Sequence, residues 1–102
     1  MSTTVAIQAP NAFAEDKDEA KLIRITSILP ALSRGETVVL DFKNIQYATQ
    51  SFTHALIGEA LQRHGERALE MLEFRHCSEA VRSVVELVVD YSLGGFAESR
   101  GA

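Results

Sequence analysis

The chain has 102 residues, of which 46% are hydrophobic and 24% charged, and this composition indicates one ordinary globular domain rather than a disordered chain. A net charge of −4 with only ten scattered Lys and Arg residues argues against a nucleic-acid partner, which requires a basic face. The single cysteine, Cys77, excludes an internal disulfide. With no signal-peptide or membrane-spanning pattern in the sequence, we expect a cytoplasmic protein that binds no membrane.

The first third of the chain predicts one short strand and one amphipathic helix. Residues 4–8 alternate weakly and favour an edge strand. Apolar residues then recur at helical spacing over residues 18–33, with Asp16 or Asp18 as the N-cap. Pro30 lies inside this segment and has no N–H to donate, so we expect a kink or a fresh helical turn there. Gly35 predicts the end of the helix.

Residues 37–42 form an apolar run without alternation, which is typical of a strand buried on both faces. The strand contains Asp41 near its end, and a polar break follows. Beyond the break we expect Ile45 and Tyr47 to pack beneath the strand. The run therefore predicts the central strand of a sheet.

A second helix is predicted from Thr49 or Ser51, either of which can serve as its N-cap, to about His64. Gly65 then ends it. Its apolar stripe consists of Phe52, Leu56 and Ala60, with Ile57 and Leu61 beside it.

The last third predicts a strand over residues 68–74 near a sheet edge and a third helix capped by Ser78. Valine is a mediocre helix former, so we expect this helix to be stabilised by packing against the sheet. Four valines are spaced for that packing: Val81, Val84, Val85 and Val88. Alternating strands and helices predict a single small α/β domain over residues 1–102, with a mostly parallel sheet covered by about three helices. We expect residues 1–12 and 93–102 to be partly flexible.

The three histidines and the cysteine do not have the spacing of a metal site. His54 and His64 lie about 80° apart around one helix and about 15 Å apart along it, so they cannot share an ion. His76 and Cys77 are adjacent at a strand end, where neighbouring side chains point to opposite faces. We therefore expect no metal, no cofactor and no Cys–His nucleophile.

The junction between the central strand and the second helix is the strongest candidate site. The hydroxyl-bearing residues Thr49, Ser51 and Thr53 are interleaved with Gln50 and His54, close in sequence to the carboxylate of Asp41. N-capping accounts for one hydroxyl but not for three. A capping turn for Thr49 and a loop-bonded carboxylate for Asp41 are the purely structural alternatives.

The chain resembles STAS domains, the fold of anti-sigma factor antagonists, and more closely a bacterial STAS-like family of unknown function. The resemblance covers residues 13–91 and depends on the following segments: Phe13-Ala14-Glu15-Asp16-Lys17, Val38-Val39-Leu40-Asp41-Phe42 and Thr49-Gln50-Ser51-Phe52-Thr53-His54-Ala55-Leu56. Antagonists carry an Asp-Ser-Ser-Gly pattern whose second serine is phosphorylated by the anti-sigma factor kinase. That serine corresponds to Ser51, while Thr49 replaces the acid and Phe52 replaces the glycine.

The resemblance implies a non-enzymatic signalling module that docks a histidine-kinase-like ATPase or an anti-sigma factor, with phosphorylation of Ser51 as its switch. The partner-binding residues it implies are Asp41, Thr49, Gln50, Ser51, Phe52 and His54. Exposed, Phe52 would add apolar contact area. A small-ligand or nucleotide-sensing domain, using the helix N-terminus at residues 49–53 as an anion site, is the alternative. An enzyme with His54 as a base is a third possibility.

Overall fold

The computed structural model describes residues 2–94. The strands are β1 (Ser2–Ala6), β2 (Phe13–Ala14), β3 (Thr37–Asp41), β4 (Tyr47–Ala48) and β5 (Leu72–Arg75). The central sheet has three parallel strands in the order β1-β3-β5, and β2 and β4 form a separate pair of short parallel strands. The predicted α/β class with a parallel sheet is confirmed.

Strand β3 is central and buried on both faces, as its apolar run predicts. Val38, Val39 and Leu40 are each at most 4% exposed. β1 lies at one edge of the sheet, as predicted, although it begins two residues earlier than the sequence indicates. β5 forms the other edge. The hydrophobic core packs on the face of the sheet that carries Val38 and Leu40, whereas Val39 on the opposite face is not part of the core cluster.

The first helical segment runs without a break from α1 (Lys17–Ile23) through a π-helical turn (Arg24–Ile28) into α2 (Leu29–Ser33). Asp16 is the N-cap, and its carboxylate accepts the N–H groups of Asp18 and Glu19. The irregularity expected from Pro30 is the π turn that directly precedes α2, because a proline leaves the carbonyl one turn earlier without its usual donor. The chain leaves the segment at Gly35, whose φ is +76°.

The second helical segment covers residues 50–64, and its predicted buried stripe is confirmed. Its parts are α3 (Gln50–Thr53), a π-helical turn (His54–Gly58) and α4 (Glu59–His64). Phe52, Leu56 and Ala60 are at most 1% exposed. Gly65 ends the segment with a φ of +63°, a conformation that favours glycine.

The strand prediction for residues 68–74 is wrong in its first half. Residues Glu66–Met71 form a further helix, α5, and only Leu72–Arg75 are extended. A short apolar run fits a strand or a buried helical turn equally well, and here the packing of Ala68 against the core decides for the helix. Besides a short 3-10 turn at Pro10–Ala12, residues 2–94 therefore contain four helical segments rather than three.

The last helix, α6 (Glu79–Ser92), is capped as predicted, because the Ser78 hydroxyl accepts the N–H of Val81. Val81, Val85 and Val88 are buried. However, α6 packs chiefly on the second helical segment and on β4 rather than on the central sheet. The buried valines of α6 are therefore stabilised by packing on the second helical segment and on β4. The expectation that they pack against the central sheet is wrong.

Tyr47 does not pack beneath the central strand. Ile45 is 3% exposed, as expected, but the Tyr47 side chain is 59% exposed. Successive side chains of a strand point to opposite faces, so Tyr47 points outward because its neighbour Ala48 is buried. The Tyr47 ring meets Phe13 edge-to-face, with ring centroids 6.2 Å apart.

Residues 2–6 form β1, and Leu93 and Gly94 form a turn after α6. Met1 and residues 95–102 lie outside the described residues. Most of the C-terminal segment that was expected to be flexible, residues 93–102, is therefore not described. Among residues 2–94, none of the helices has the length and apolar content needed to cross a bilayer.

The burial of β3 predicts how strongly single apolar side chains contribute to stability. Leu40→Ala should lower the free energy of unfolding by about 2–5 kcal/mol, because it removes a fully buried side chain from the centre of the sheet. Leu22→Ala, at a side chain that is 56% exposed, should change it by about 0.5 kcal/mol or less. Urea unfolding followed by circular dichroism measures both, and equal losses would contradict a core centred on β3.

Candidate functional site

Thr49 is the N-cap of the second helical segment. Its backbone is extended, and its hydroxyl accepts the Phe52 N–H at 3.1 Å. Its carbonyl accepts both the N–H and the hydroxyl of Thr53, each at 3.0 Å. Of the two caps that the sequence allows, the structure therefore selects Thr49, and Ser51 lies within the first turn of the helix.

The first turn divides its side chains between core and surface. Phe52 and Thr53 are each 1% exposed, whereas Gln50, Ser51 and His54 are exposed. The exposed three line one shallow surface depression together with Tyr91 of α6. Helical geometry explains this placement, because residues three and four apart share a face.

Phe52 is not part of the exposed surface, which corrects the expectation that its ring supplies apolar contact area. Its side chain belongs to the same buried stripe as Leu56 and Ala60. The helix can bury that stripe only by turning Phe52 inward. The sequence motif gives the position of the phenylalanine but not the face on which it lies.

His54 owes its position to a glycine one turn further along the helix. A Cβ atom built at Gly58 would lie 2.8 Å from the His54 Cδ2 atom, closer than such atoms approach in proteins. The imidazole of His54 therefore lies across the backbone at Gly58. Sequence analysis did not single out Gly58, although its spacing of four residues from His54 on a predicted helix is a readable signal.

Asp41 forms its hydrogen bonds away from the exposed first turn. Its Oδ1 atom lies 2.9 Å from His76 Nδ1 and also accepts the Lys43 N–H at 2.9 Å. These two hydrogen bonds, the one with His76 foremost, lower the pKa of the Asp41 carboxyl below its ordinary value. The structural alternative for Asp41, a carboxylate bonded to its following loop, is thus what the structure contains.

His76 is a site residue that sequence analysis did not connect with Asp41. In the parallel sheet Asp41 pairs with Arg75, so the next residue of the chain lies at the same sheet edge. The backbone of His76 has a φ of +58°, which is uncommon for a residue with a side chain. The contact between Asp41 and His76 could have been predicted only from the pairing register of β3 and β5, which a single sequence does not give.

Cys77 is half-buried, and burial raises the pKa of its thiol, which makes it a poorer nucleophile at neutral pH. Among residues 2–94, His, Cys, Asp and Glu side chains nowhere gather in the groups of three or more that could hold a metal ion.

A family model described as "STAS-like domain of unknown function (DUF4325)" matches residues 19–82, which is more than half of the chain. The chain belongs to this family of STAS-like domains. The matched region contains the Val38–Phe42 and Thr49–Leu56 motifs but not the motif at residues 13–17. No curated protein and no solved structure matches the chain significantly.

In this STAS-like domain the Thr49 hydroxyl accepts the backbone N–H that a carboxylate N-cap would accept in the same place. The alternative of a small-ligand site at the helix N-terminus, residues 49–53, stays a prediction. One of the backbone N–H groups that an anion would use there, that of Phe52, is already bonded to the Thr49 hydroxyl.

The Asp41–His76 contact makes a prediction about acid sensitivity. A carboxyl whose folded-state pKa is lowered stabilises the fold above its unfolded pKa of about 4, and this contribution is lost as the pH falls through the folded pKa. His76→Gly removes the imidazole without strain at positive φ, so the Asp41 pKa should rise toward its ordinary value. Carbon-13 NMR titration of the carboxyl groups measures the pKa of Asp41 in the wild-type chain and in the variant.

Glu36 is the internal control for that titration. Its pKa is lowered by a hydrogen bond from Arg34, which does not involve His76. The Glu36 pKa should stay lowered in the His76→Gly variant. An Asp41 pKa that does not move in the variant would contradict the assignment of the shift to His76.

Proposed function

We propose that this STAS-like domain is a non-enzymatic signalling module that docks a protein partner through the exposed first turn of its second helical segment. The contact residues are Gln50, Ser51 and His54, with Tyr91 beside them. The partner is a histidine-kinase-like ATPase or an anti-sigma factor, which acts in the bacterial cytoplasm, and phosphorylation of Ser51 switches the complex off.

The observation that carries the proposal is the exposure of Ser51 beside the buried Phe52 and Thr53. A kinase needs an accessible hydroxyl on a backbone that it can approach. In this turn the exposed Ser51 meets both conditions, whereas the buried Thr53 does not. The departure from the antagonist pattern at Phe52 adds no bulk to this surface, because the ring is directed into the core.

Charge explains how phosphorylation would act as a switch. A phosphate adds about −1.5 to −2 charge at a position where the unmodified domain has a neutral hydroxyl. The positive end of the helix dipole lies at the first turn, so the modified domain keeps its fold. An apolar or acidic partner surface instead loses affinity, since it must bury or face the new charge.

The N-cap of the helix also supports a switch at Ser51. Thr49 and Phe52 define the turn through the capping hydrogen bond and the core contact, and neither involves the Ser51 side chain. A change at Ser51 therefore alters the surface without removing the interactions that form the helix. This separation between folding and surface is what a reversible switch requires.

A phosphomimetic variant tests the proposal against a matched control. Affinity capture from the native cell, with the intact chain as bait, identifies the ATPase, whose affinity is then measured by calorimetry. Ser51→Asp should weaken binding by about tenfold or more, because it places a charge in the interface. Ser83→Asp adds the same charge at an exposed serine of α6 and should leave affinity within about twofold.

Circular dichroism establishes that both variants keep the wild-type fold. A Ser51→Asp variant that is folded and binds the ATPase as tightly as the wild-type chain would overturn the switch. Capture that yields no ATPase or anti-sigma factor would overturn the partner class.

A further inference from the structure

A groove lies between the loop after β1 and the start of α1. Its volume is about 290 Å³, and its walls include Pro10, Phe13, Glu15 and Glu19, with Phe52 at its inner side. The proposed function does not use this surface. Phe52 connects the two regions, since it belongs to the first turn of the second helical segment and also borders the groove.

The groove is acidic, and helix capping accounts for only part of its charge. Glu15, Asp16 and Glu19 line it, whereas no Lys or Arg does so. Asp16 serves as the N-cap of α1, and Glu19 lies in the first turn, where the helix dipole favours a negative charge. Glu15 precedes the helix and makes no cap. Within residues 2–94, none of these three carboxylates takes part in an ion pair.

An exposed aromatic pair extends the surface beyond the groove. Phe13 is 39% and Tyr47 59% exposed, and their rings meet edge-to-face. Aromatic faces attract cations, arginine above all, and also bury apolar side chains of a partner. The pair therefore adds contact area of the kind that concentrates binding energy in protein interfaces.

Backbone contacts hold the walls of the groove, and a binding surface held in one arrangement lowers the cost of binding. Its loop is fastened to the segment before α3 by two backbone hydrogen bonds, from Gln46 N–H to the Ala12 carbonyl at 2.8 Å and from Thr49 N–H to the Ala14 carbonyl at 2.9 Å. Asn11 and Ala12 are both held at positive φ. The walls thus have one arrangement fixed by backbone contacts.

We propose that this groove docks a positively charged segment of a protein partner, in which Arg or Lys side chains flank an apolar residue. The apolar residue enters between Pro10 and Phe13, while the cations meet Glu15 and Glu19. Nucleic acids and anionic lipids are repelled by the same carboxylates and by the net charge of −4. The exposed aromatic pair favours a peptide over a small organic cation, which would leave Tyr47 uncovered.

Selection from a random peptide library displayed on phage, with the intact chain immobilised, tests this inference. Enriched sequences should carry Arg and Lys next to an apolar residue. A synthetic consensus peptide is then titrated by fluorescence anisotropy. Glu15→Gln with Glu19→Gln should weaken binding by about tenfold. Glu66→Gln with Glu70→Gln changes the net charge equally on exposed positions of α5 and should alter it by less than about twofold.

Apolar contact has its own matched pair of variants. Phe13→Ala should weaken the consensus peptide by about fivefold or more, while Leu87→Ala, at a side chain 42% exposed, should leave its affinity within about twofold. Absence of enrichment, enrichment of uncharged or acidic peptides, or equal weakening by the two charge variants would overturn the inference. Because Ser51 takes no part in these titrations, their outcome is separate from that of the phosphorylation switch.

Discussion

The burial of β3 on both faces is the constraint on which the rest of the structure depends. Val38 and Leu40 share one face of the sheet and have no exposed surface, and Val39 on the opposite face is 4% exposed, so the side chains of both faces are covered. Burying apolar surface contributes roughly 25 cal/mol for each Å² removed from water, the largest favourable contribution to folding. β1 and β5 complete the backbone hydrogen bonds of β3, and the hydrophobic core packs on the face of the sheet that carries Val38 and Leu40.

The exposed first turn follows from this core. The helical segment over residues 50–64 must direct Phe52, Leu56 and Ala60 inward, and this fixes its rotation about its own axis. Gln50, Ser51 and His54 then lie outward, because the helical repeat leaves them no other face. The docking surface that we propose is thus determined by packing on the opposite side of the helix, and Gly58 makes room for the His54 ring.

Periodicity predicted the parts of the fold that depend on nearest neighbours along the chain. β3, the buried stripe after Phe52 and the Ser78 cap were all readable, because each is a pattern of a few residues with one stable solution. Residues 68–71 were wrongly predicted as part of a strand, because a short apolar run next to glutamates has no distinct period. The outward direction of Tyr47 followed from its pairing with β2, which the sequence does not show.

The candidate site was predictable in position and only partly in arrangement. The motif placed Ser51 in the opening turn, and the structure exposes it there. Phe52 was expected to add contact area but is in the core, since a motif does not give the rotation of a helix. The contact between Asp41 and His76 joins residues 35 positions apart, and it depends on the register of two parallel strands. Long-range pairing of this kind is outside what one sequence can supply.

The opposite placement of two hydroxyl residues in one turn can be measured directly by thiol labelling. Ser51→Cys and Thr53→Cys, each introduced with Cys77→Ser, place a thiol on opposite sides of the helix; the first is nearly isosteric, and the second also removes a buried methyl group and the hydroxyl that donates to the Thr49 carbonyl. In the folded protein the thiol at position 51 should react faster with a soluble disulfide reagent by on the order of a hundredfold or more, because the thiol at position 53 requires local opening. In denaturant both should react alike. Similar rates in the folded state, or a slower reaction at position 51, would contradict the account.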